Sequence, residues 1–216
     1  EAIQEQKSPQ VPTSKRIHQW AYLHLPKSIG DEDAKQHYAE AGHHLLRHHD
    51  TAKGWIIDLR DNRGGSMWPM LVVCGPIAGD GTLGYFQNRH EKRVAWGYEK
   101  GASIYDGDTV YAIADPIPTI SPAIPVAVLI GERTASSGEI LLISLLGREN
   151  LRTFGQATRG KPTANTIFDL PDGTSLVLTT DVSLDRKKRL YERSILPEVP
   201  CTDALTEAET WLRSFG

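Results

Sequence analysis

Two serines stand at a turn where this sequence can support nucleophilic chemistry. Ser136 and Ser137 precede the apolar run 138–146, which is typical of a buried helix. A serine at a strand-to-helix corner exposes its hydroxyl near the positive end of the helix dipole. The backbone N–H of Ser137 can then stabilise an oxyanion formed on an attacked carbonyl. Taken alone, the segment TASSGE is more typical of an ordinary helix N-cap.

A glycine-rich turn and a lysine supply the other candidate groups. Residues 61–65 (DNRGG) follow a short apolar run, and Gly64 and Gly65 offer backbone amides that a ligand can approach closely. Lys161 follows Gly160 at the end of another predicted strand. A free lysine has a pKa of about 10.4, so lowering it to about 7–8 for general-base chemistry needs on the order of 4 kcal/mol from the fold. By itself, each turn is also typical of a solvated loop.

The elements that position these turns follow from hydrophobic periodicity. Alternation over 17–25 indicates a strand, apolar spacing after the N-cap Asp31 indicates a helix, and the run 54–60 indicates a buried strand. This βαβ order predicts an α/β fold with a twisted, parallel sheet and flanking helices. Because sites in such folds gather at the carboxyl ends of strands, we expect the turn at 61–65 and the Ser136 corner on one edge of the sheet.

The remaining segments complete one domain over residues 16–216, preceded by a polar, flexible arm over residues 1–15. Residues 79–119 are Gly-rich and locally alternating, which indicates irregular hairpins that can form a flap over a cleft. Thr206 and Glu209 have capping-box spacing for a last helix. Further strands are predicted at 125–131, 151–155, 168–170 and 175–179, and further helices at 66–78 and 138–146.

The composition excludes several classes of function. The chain has 24 Lys and Arg against 27 Asp and Glu, a net charge of −3 that offers no basic face for nucleic acid. No run of 18 apolar residues is present, so no membrane-spanning segment is predicted. Cys74 stands in an apolar run and is predicted to be a buried, inert thiol. Its pairing with Cys201 in an oxidising compartment stays open.

Histidines offer alternative chemistry. His44 and His48 are four residues apart on the first predicted helix, a spacing compatible with a metal site. Exposure of that helix face explains both residues, so no metal is expected. His18 or His24 is an alternative partner for a serine nucleophile.

The order of several motifs resembles that of the carboxy-terminal processing, or tail-specific, serine proteases. The resemblance covers nearly the whole chain. Its motifs are DLRDNRGG at 58–65, TASSGE at 134–139, GQATRGK at 155–161, FDLPDGTSLVLT at 168–179 and SILPEV at 194–199.

The spacing within these motifs implies roles for individual residues. In the family the nucleophilic serine precedes a glutamate by three residues and a lysine base by 25, and Ser136 precedes Glu139 and Lys161 by the same intervals. The resemblance therefore implies that Ser136 is the nucleophile and Lys161 its general base. A polar residue four positions after the lysine, usually Gln, orients it in the family, and Asn165 stands there in this chain. The implied oxyanion hole consists of backbone N–H groups from Gly64 or Gly65 and from Ser137.

The resemblance implies a serine endopeptidase that hydrolyses extended or unfolded polypeptide through a Ser-Lys dyad, without a cofactor. It also implies a fold like that of the Clp-protease and crotonase group and an extracytoplasmic location. A PDZ domain, which many relatives carry, is not expected within these 216 residues, so an activating or tethering partner is an open expectation. The alternative is a non-catalytic peptide- or apolar-ligand-binding module, because the resemblance extends to retinoid-carrier relatives. The presence of both Ser136 and Lys161 at the family spacing favours the enzyme.

Overall fold

A computed structural model of the protein describes residues 10–215. The helices are α1 (Glu32–Arg47), α2 (Met67–Ala78), α3 (Ser137–Leu145) and α4 (Ala204–Leu212), followed by a 3-10 turn (Arg213–Phe215). The strands are β1 (Thr13–Ile17), β2 (Trp20–His24), β3 (Trp55–Asp58), β4 (Gly81–Asn88), β5 (Arg93–Glu99), β6 (Ala102–Tyr105), β7 (Asp108–Ala112), β8 (Val126–Ile130), β9 (Leu151–Gly155), β10 (Thr163–Asp169), β11 (Ser175–Asp185), β12 (Leu190–Tyr191) and β13 (Val199–Pro200).

The first predicted strand is a hairpin in the structure. The chain reverses at His18, whose φ is 53°, and Trp20 pairs with Ile17. The alternation of apolar residues continues through this turn without Gly or Pro, so the pattern over 17–25 does not reveal it. The predicted flexible arm is wrong for residues 13–15, because these residues pair with β2. Residues 1–9 of the predicted arm lie outside the described residues.

The first sheet places the candidate turns on one edge. Its order is β1-β2-β3-β8-β9-β13, and every neighbouring pair except β1–β2 is parallel. All residues of β3 and β8 are buried, as continuous apolar runs predict for central parallel strands. The turns that follow β3, β8 and β9 therefore emerge at the same edge, which is the arrangement expected from the βαβ pattern.

Residues 81–112, within the predicted region 79–119, form consecutive antiparallel hairpins with two register shifts, and these hairpins belong to a second sheet. Its order is β10-β11-β4-β5-β6-β7, with β12 paired to β11, and all its pairs are antiparallel. The glycines of this region suggest loops in the sequence, but Gly84 has a packing role in the structure. A Cβ on Gly84 would lie only 2.2 Å from Cζ2 of Trp96, so this strand position requires glycine.

Four layers build the core. One face of the first sheet packs on α4 through residues that include Phe154 and Leu212, while α1, α2 and α3 cover the other face. The second sheet packs on the far side of α2 and α3 and buries Trp96 among them. Cys74 and Cys201 belong to the clusters on opposite faces of the first sheet, and both are free thiols. Burial raises the pKa of the Cys74 thiol, as predicted for an inert cysteine.

The N-caps of α1 and α4 are both aspartates, but only the first matches its prediction. Asp31 is the N-cap of α1, where its carboxylate accepts a 2.9 Å hydrogen bond from Ala34 N–H, which confirms the prediction. The capping box predicted at Thr206 is wrong, because α4 begins two residues earlier. Asp203 is the N-cap there, and it accepts hydrogen bonds from both the N–H and the hydroxyl of Thr206.

Candidate active site

Ser136 stands between β8 and α3 with a backbone conformation that an ordinary N-cap does not have. Its φ and ψ are 53° and −123°, whereas the N-cap Asp31 is extended, with a φ of −73°. Such a conformation costs about 1–3 kcal/mol for a residue with a Cβ and persists only where surrounding contacts hold it. The same strain occurs at serine nucleophiles on strand-to-helix turns. Ser136 is nevertheless the N-cap of α3, and Glu139 accepts a hydrogen bond from its backbone N–H, so the cap predicted for this segment is present together with the strained backbone.

A buried carboxylate holds the Ser136 corner against the loop that carries Lys161. The side chain of Glu139 is fully buried and accepts four hydrogen bonds. Oε2 accepts from the backbone N–H of Ser136 at 3.0 Å and of Lys161 at 2.8 Å. Oε1 accepts from the Thr158 hydroxyl at 2.5 Å and from Gly160 N–H at 2.9 Å. Glu139 therefore sets the distance between the two turns.

The glycine turn after β3 approaches the serine corner closely. A Cβ on Gly64 would lie 2.9 Å from Ser136 Cβ, and φ at Gly64 is +98°. The backbone N–H of Gly64 donates to Oδ1 of buried Asn62 at 2.9 Å. The carbonyl of Gly65 accepts a 2.5 Å hydrogen bond from the Ser137 hydroxyl. Among the described residues no hydrogen bond engages the N–H of Gly65, so the two glycines predicted for the oxyanion hole differ in availability.

An ion pair at the end of β3 stabilises this turn, as its spacing suggests. The Asp58 carboxylate is buried and accepts hydrogen bonds from Arg60 Nη2 at 2.6 Å and Nε at 3.0 Å, and from the Tyr22 hydroxyl. Burial raises the pKa of Asp58, but the hydrogen bonds from Arg60 and Tyr22 outweigh it, and the net pKa is lower than usual. The role of this cluster is structural support for the turn at 61–65.

Ser136 lies between two cavities. One has a volume of about 390 Å³ and includes Gly65, Ser136, Ser137 and Asn165 in its lining. The other has a volume of about 500 Å³ and is lined by Ser136, Ala135 and four cationic residues: Arg63, Arg133, Arg159 and Lys161. Ser136, whose hydroxyl is the candidate nucleophile, thus lines both cavities.

The first of these cavities has an aromatic wall built by both layers around it. Trp68 of α2 lies with its ring centroid 5.3 Å from that of Tyr105, and Phe86 lies 6.4 Å from Tyr105. Phe86 and Tyr105 come from the region 79–119, which the sequence predicts as a cover for a substrate cleft. Their place beside Ser136 makes this sheet part of the candidate site.

Lys161 and Asn165 occupy different cavities. The Lys161 side chain is exposed and lines the cationic cavity with Ser136, while Asn165 lines the aromatic cavity. The Asn165 carbonyl oxygen accepts a 3.0 Å hydrogen bond from the Thr179 hydroxyl across β10 and β11. No hydrogen bond joins Asn165 to Lys161 in the part of the chain that the structure describes. Asn165 thus makes a hydrogen bond with Thr179 in place of the lysine-orienting contact that the resemblance implies.

The candidate histidines lie in different parts of the structure. His44 and His48 pack on each other with ring centroids 4.3 Å apart, and the His48 ring contacts the His44 carbonyl. His18 lies at the β1–β2 turn, 3.8 Å from Glu209. His24 lines a cavity that shares Arg63 and Arg133 with the cationic cavity, so it lies in the wider site. Within residues 10–215 no group of three or more His, Cys, Asp or Glu residues could hold a metal ion.

Several site residues escape the sequence-based reasoning. Arg63, Arg133 and Arg159 each stand within three residues of a glycine or serine that the motifs highlight, so proximity along the chain was an available signal. Thr158 bridges two segments: its hydroxyl donates to Glu139 and accepts from Ile195 N–H at 2.8 Å. That contact ties the SILPEV motif to the site.

None of the helices over residues 10–215 has the length and apolar character of a membrane span.

Comparison with known proteins identifies the family. The sequence profile of peptidase family S41 matches residues 19–201. The nisin-resistance protein of Lactococcus lactis subsp. lactis is 32% identical over 195 residues, which are 89% of this chain and 59% of that protein. The chloroplastic carboxyl-terminal-processing peptidase 2 of Arabidopsis thaliana is 30% identical over 130 residues, 60% of this chain and 22% of the relative. The chain thus spans only part of the length of these relatives.

Solved structures are similar to this chain in fold. A lipoprotein from Streptococcus agalactiae is 29% identical and superposes with a TM-score of 0.81, covering 95% of this chain and 70% of the other. The photosystem II D1 C-terminal processing protease (TM-score 0.59, 22% identity, 91% and 46% coverage) and the tricorn protease (0.51, 16%, 91% and 18%) share the fold. They confirm an α/β fold of the Clp-protease and crotonase-like group. The chain belongs to peptidase family S41.

Proposed function

We propose that this protein is a serine endopeptidase in which Ser136 is the nucleophile and Lys161 the general base. One observation carries the proposal: both residues border one cavity, and the same buried carboxylate oxygen of Glu139 accepts a hydrogen bond from each backbone N–H. The strained backbone of Ser136 supports it, because strain of this kind concentrates at functional turns.

The proposed reaction is acyl transfer. Lys161 takes the hydroxyl proton while Ser136 Oγ forms a bond to the peptide carbonyl carbon. The N–H groups of Gly65 and Ser137 stabilise the oxyanion, since the Gly64 N–H already donates to Asn62. Collapse of the tetrahedral intermediate breaks the C–N bond, and Lys161 returns its proton to the leaving amine. A water molecule, deprotonated by Lys161, then hydrolyses the acyl-enzyme and restores Ser136.

The proposed substrate is an extended polypeptide. The open aromatic cavity with Trp68, Phe86 and Tyr105 can receive an apolar side chain beside the scissile bond. One relative bears the name nisin-resistance protein, which makes short peptides a suitable first substrate class for this chain. An extracytoplasmic location, in keeping with a similar lipoprotein, is part of the same proposal.

Covalent labelling distinguishes the enzyme from the alternative, a binding module that does not turn over substrate. We expect a fluorophosphonate probe to modify Ser136 in the wild-type protein, with the adduct located by peptide mapping. Ser136→Ala should abolish labelling, and Lys161→Ala should slow it by about a hundredfold or more, in the range that general-base catalysis supplies. Lys53→Ala, which removes an exposed lysine elsewhere, should label like the wild type.

His24→Ala tests the other candidate base. Normal labelling of this variant would support Lys161, whereas loss of labelling in His24→Ala with retention in Lys161→Ala would transfer the base role to His24. A folded wild-type protein that stays unlabelled across pH 6–9 while it binds peptides would contradict the peptidase and support the binding module.

A further inference from the structure

The cavity that Ser136 shares with Lys161 is strongly cationic. Of the six residues that line its volume of about 500 Å³, four carry a basic side chain, namely Arg63, Arg133, Arg159 and Lys161, and none of these six described residues is acidic. The whole chain, in contrast, has a net charge of −3. Like charges held together cost free energy, so this concentration beside a nucleophile indicates a recognition role.

The cationic side chains come from three separate loops. Arg63 follows β3, Arg133 follows β8, and Arg159 follows β9, so the parallel sheet brings all three to the same edge. The Arg159 backbone N–H donates to the Thr134 carbonyl at 2.8 Å, which anchors the third loop to the second. The convergence is therefore a consequence of the fold and does not depend on a local run of basic residues.

The Arg133 side chain is accessible to a ligand. Arg133 lies 3.2 Å from Asp61, but both side chains are more than half exposed, at 59% and 58%. An exposed pair of this kind contributes little, so Arg133 can exchange Asp61 for another carboxylate. Guanidinium groups bind carboxylates through two parallel hydrogen bonds, which suits them for this task.

Resting on the proposed function, we infer that Arg133 and Arg159 select substrates with a carboxylate next to the scissile bond. A peptide bound across Ser136 presents an apolar side chain to the aromatic cavity and an anionic group to the cationic cavity. The carboxylate comes either from an Asp or Glu side chain or from the C-terminus of the substrate. Both sources offer the same planar anion to the arginines.

Two sets of matched peptides distinguish these sources. The first set varies the residues that flank one cleavage site among Glu, Gln and Lys, and the second compares a free C-terminal carboxylate with its amide one residue beyond the site. We expect kcat/KM to be about tenfold or more higher for at least one carboxylate peptide than for its neutral partner. Preference in the first set alone assigns an acidic side chain, and preference in the second assigns the terminus.

Variants tie the preference to the cavity. Arg133→Gln and Arg159→Gln should each remove most of the carboxylate preference, while Arg89→Gln, an exposed arginine beyond β4, should retain it. An uncharged fluorophosphonate should label Ser136 in the Arg89→Gln control as it does in the wild type. Equal cleavage of acidic and neutral peptides by a labelled wild type would overturn the inference and leave the peptidase intact. Absence of labelling would overturn the peptidase, and the Kd of the same peptides for Ser136→Ala would then decide the carboxylate preference by itself.

Discussion

The backbone N–H of Lys161 lies 2.8 Å from Oε2 of Glu139, a carboxylate oxygen that is fully buried beneath the active-site candidate. The same oxygen accepts from Ser136 N–H at 3.0 Å. Two residues 25 positions apart are thus positioned by one acceptor. Because a buried carboxylate must have its lone pairs satisfied, any movement of the Lys161 loop leaves an unpaired group and is disfavoured.

Glu139→Gln should weaken both the fold and the site. Glutamine keeps the shape of the side chain but offers one carbonyl oxygen and a donating NH2 group, so some of the four donors lose their acceptor. We expect the free energy of unfolding to fall by about 2–3 kcal/mol. Labelling of Ser136 should slow under conditions where the variant remains folded. Urea denaturation and probe kinetics measure the two effects, with the exposed Glu207→Gln as control.

Gly65→Ala should disrupt the turn that faces Ser136. The residue has a φ of +101°, and an added Cβ would lie 2.0 Å from the Ser28 carbonyl oxygen. Gly173→Ala is a matched control, because φ there is +82° but no atom lies within 4 Å of the added Cβ. The control should lose about 1 kcal/mol from backbone strain alone. Gly65→Ala should lose clearly more in urea denaturation, together with Ser136 labelling, and equal losses would contradict the steric argument.

The Asp58 cluster should make stability depend on pH in the acid range. The net pKa of Asp58 is lowered in the fold, so the folded state binds fewer protons than the unfolded state. Its contribution is therefore present above the unfolded pKa of about 3.9 and is lost as pH falls through the lower folded value. The stability difference between wild type and Asp58→Asn should shrink below about pH 4. A difference that does not vary with pH, in urea denaturation from pH 2 to 7 with Asp50→Asn as control, would refute this role.

Many elements of the fold follow from local patterns. The buried runs of β3 and β8, the N-cap Asp31 and the apolar helix after Ser136 all match their predictions, because strand and helix periodicities are written in consecutive residues. The hairpin turn at His18 escapes prediction because a non-glycine residue adopts positive φ there without any turn signal. The joining of the hairpins over 79–119 to β10 and β11 escapes prediction, because the pairing of β4 with β11 links segments that are distant in the sequence.

By itself, the sequence determined the family and the candidate pair Ser136 and Lys161, because motif order and spacing are properties of the chain. Only the tertiary structure decided which groups surround the pair. The four donors to Glu139, the different engagement of Gly64 and Gly65, and the cationic cavity all depend on loops that follow separate strands. Parallel strand pairing brings these loops to one edge, and residues distant in sequence become neighbours there through contacts that no local pattern encodes.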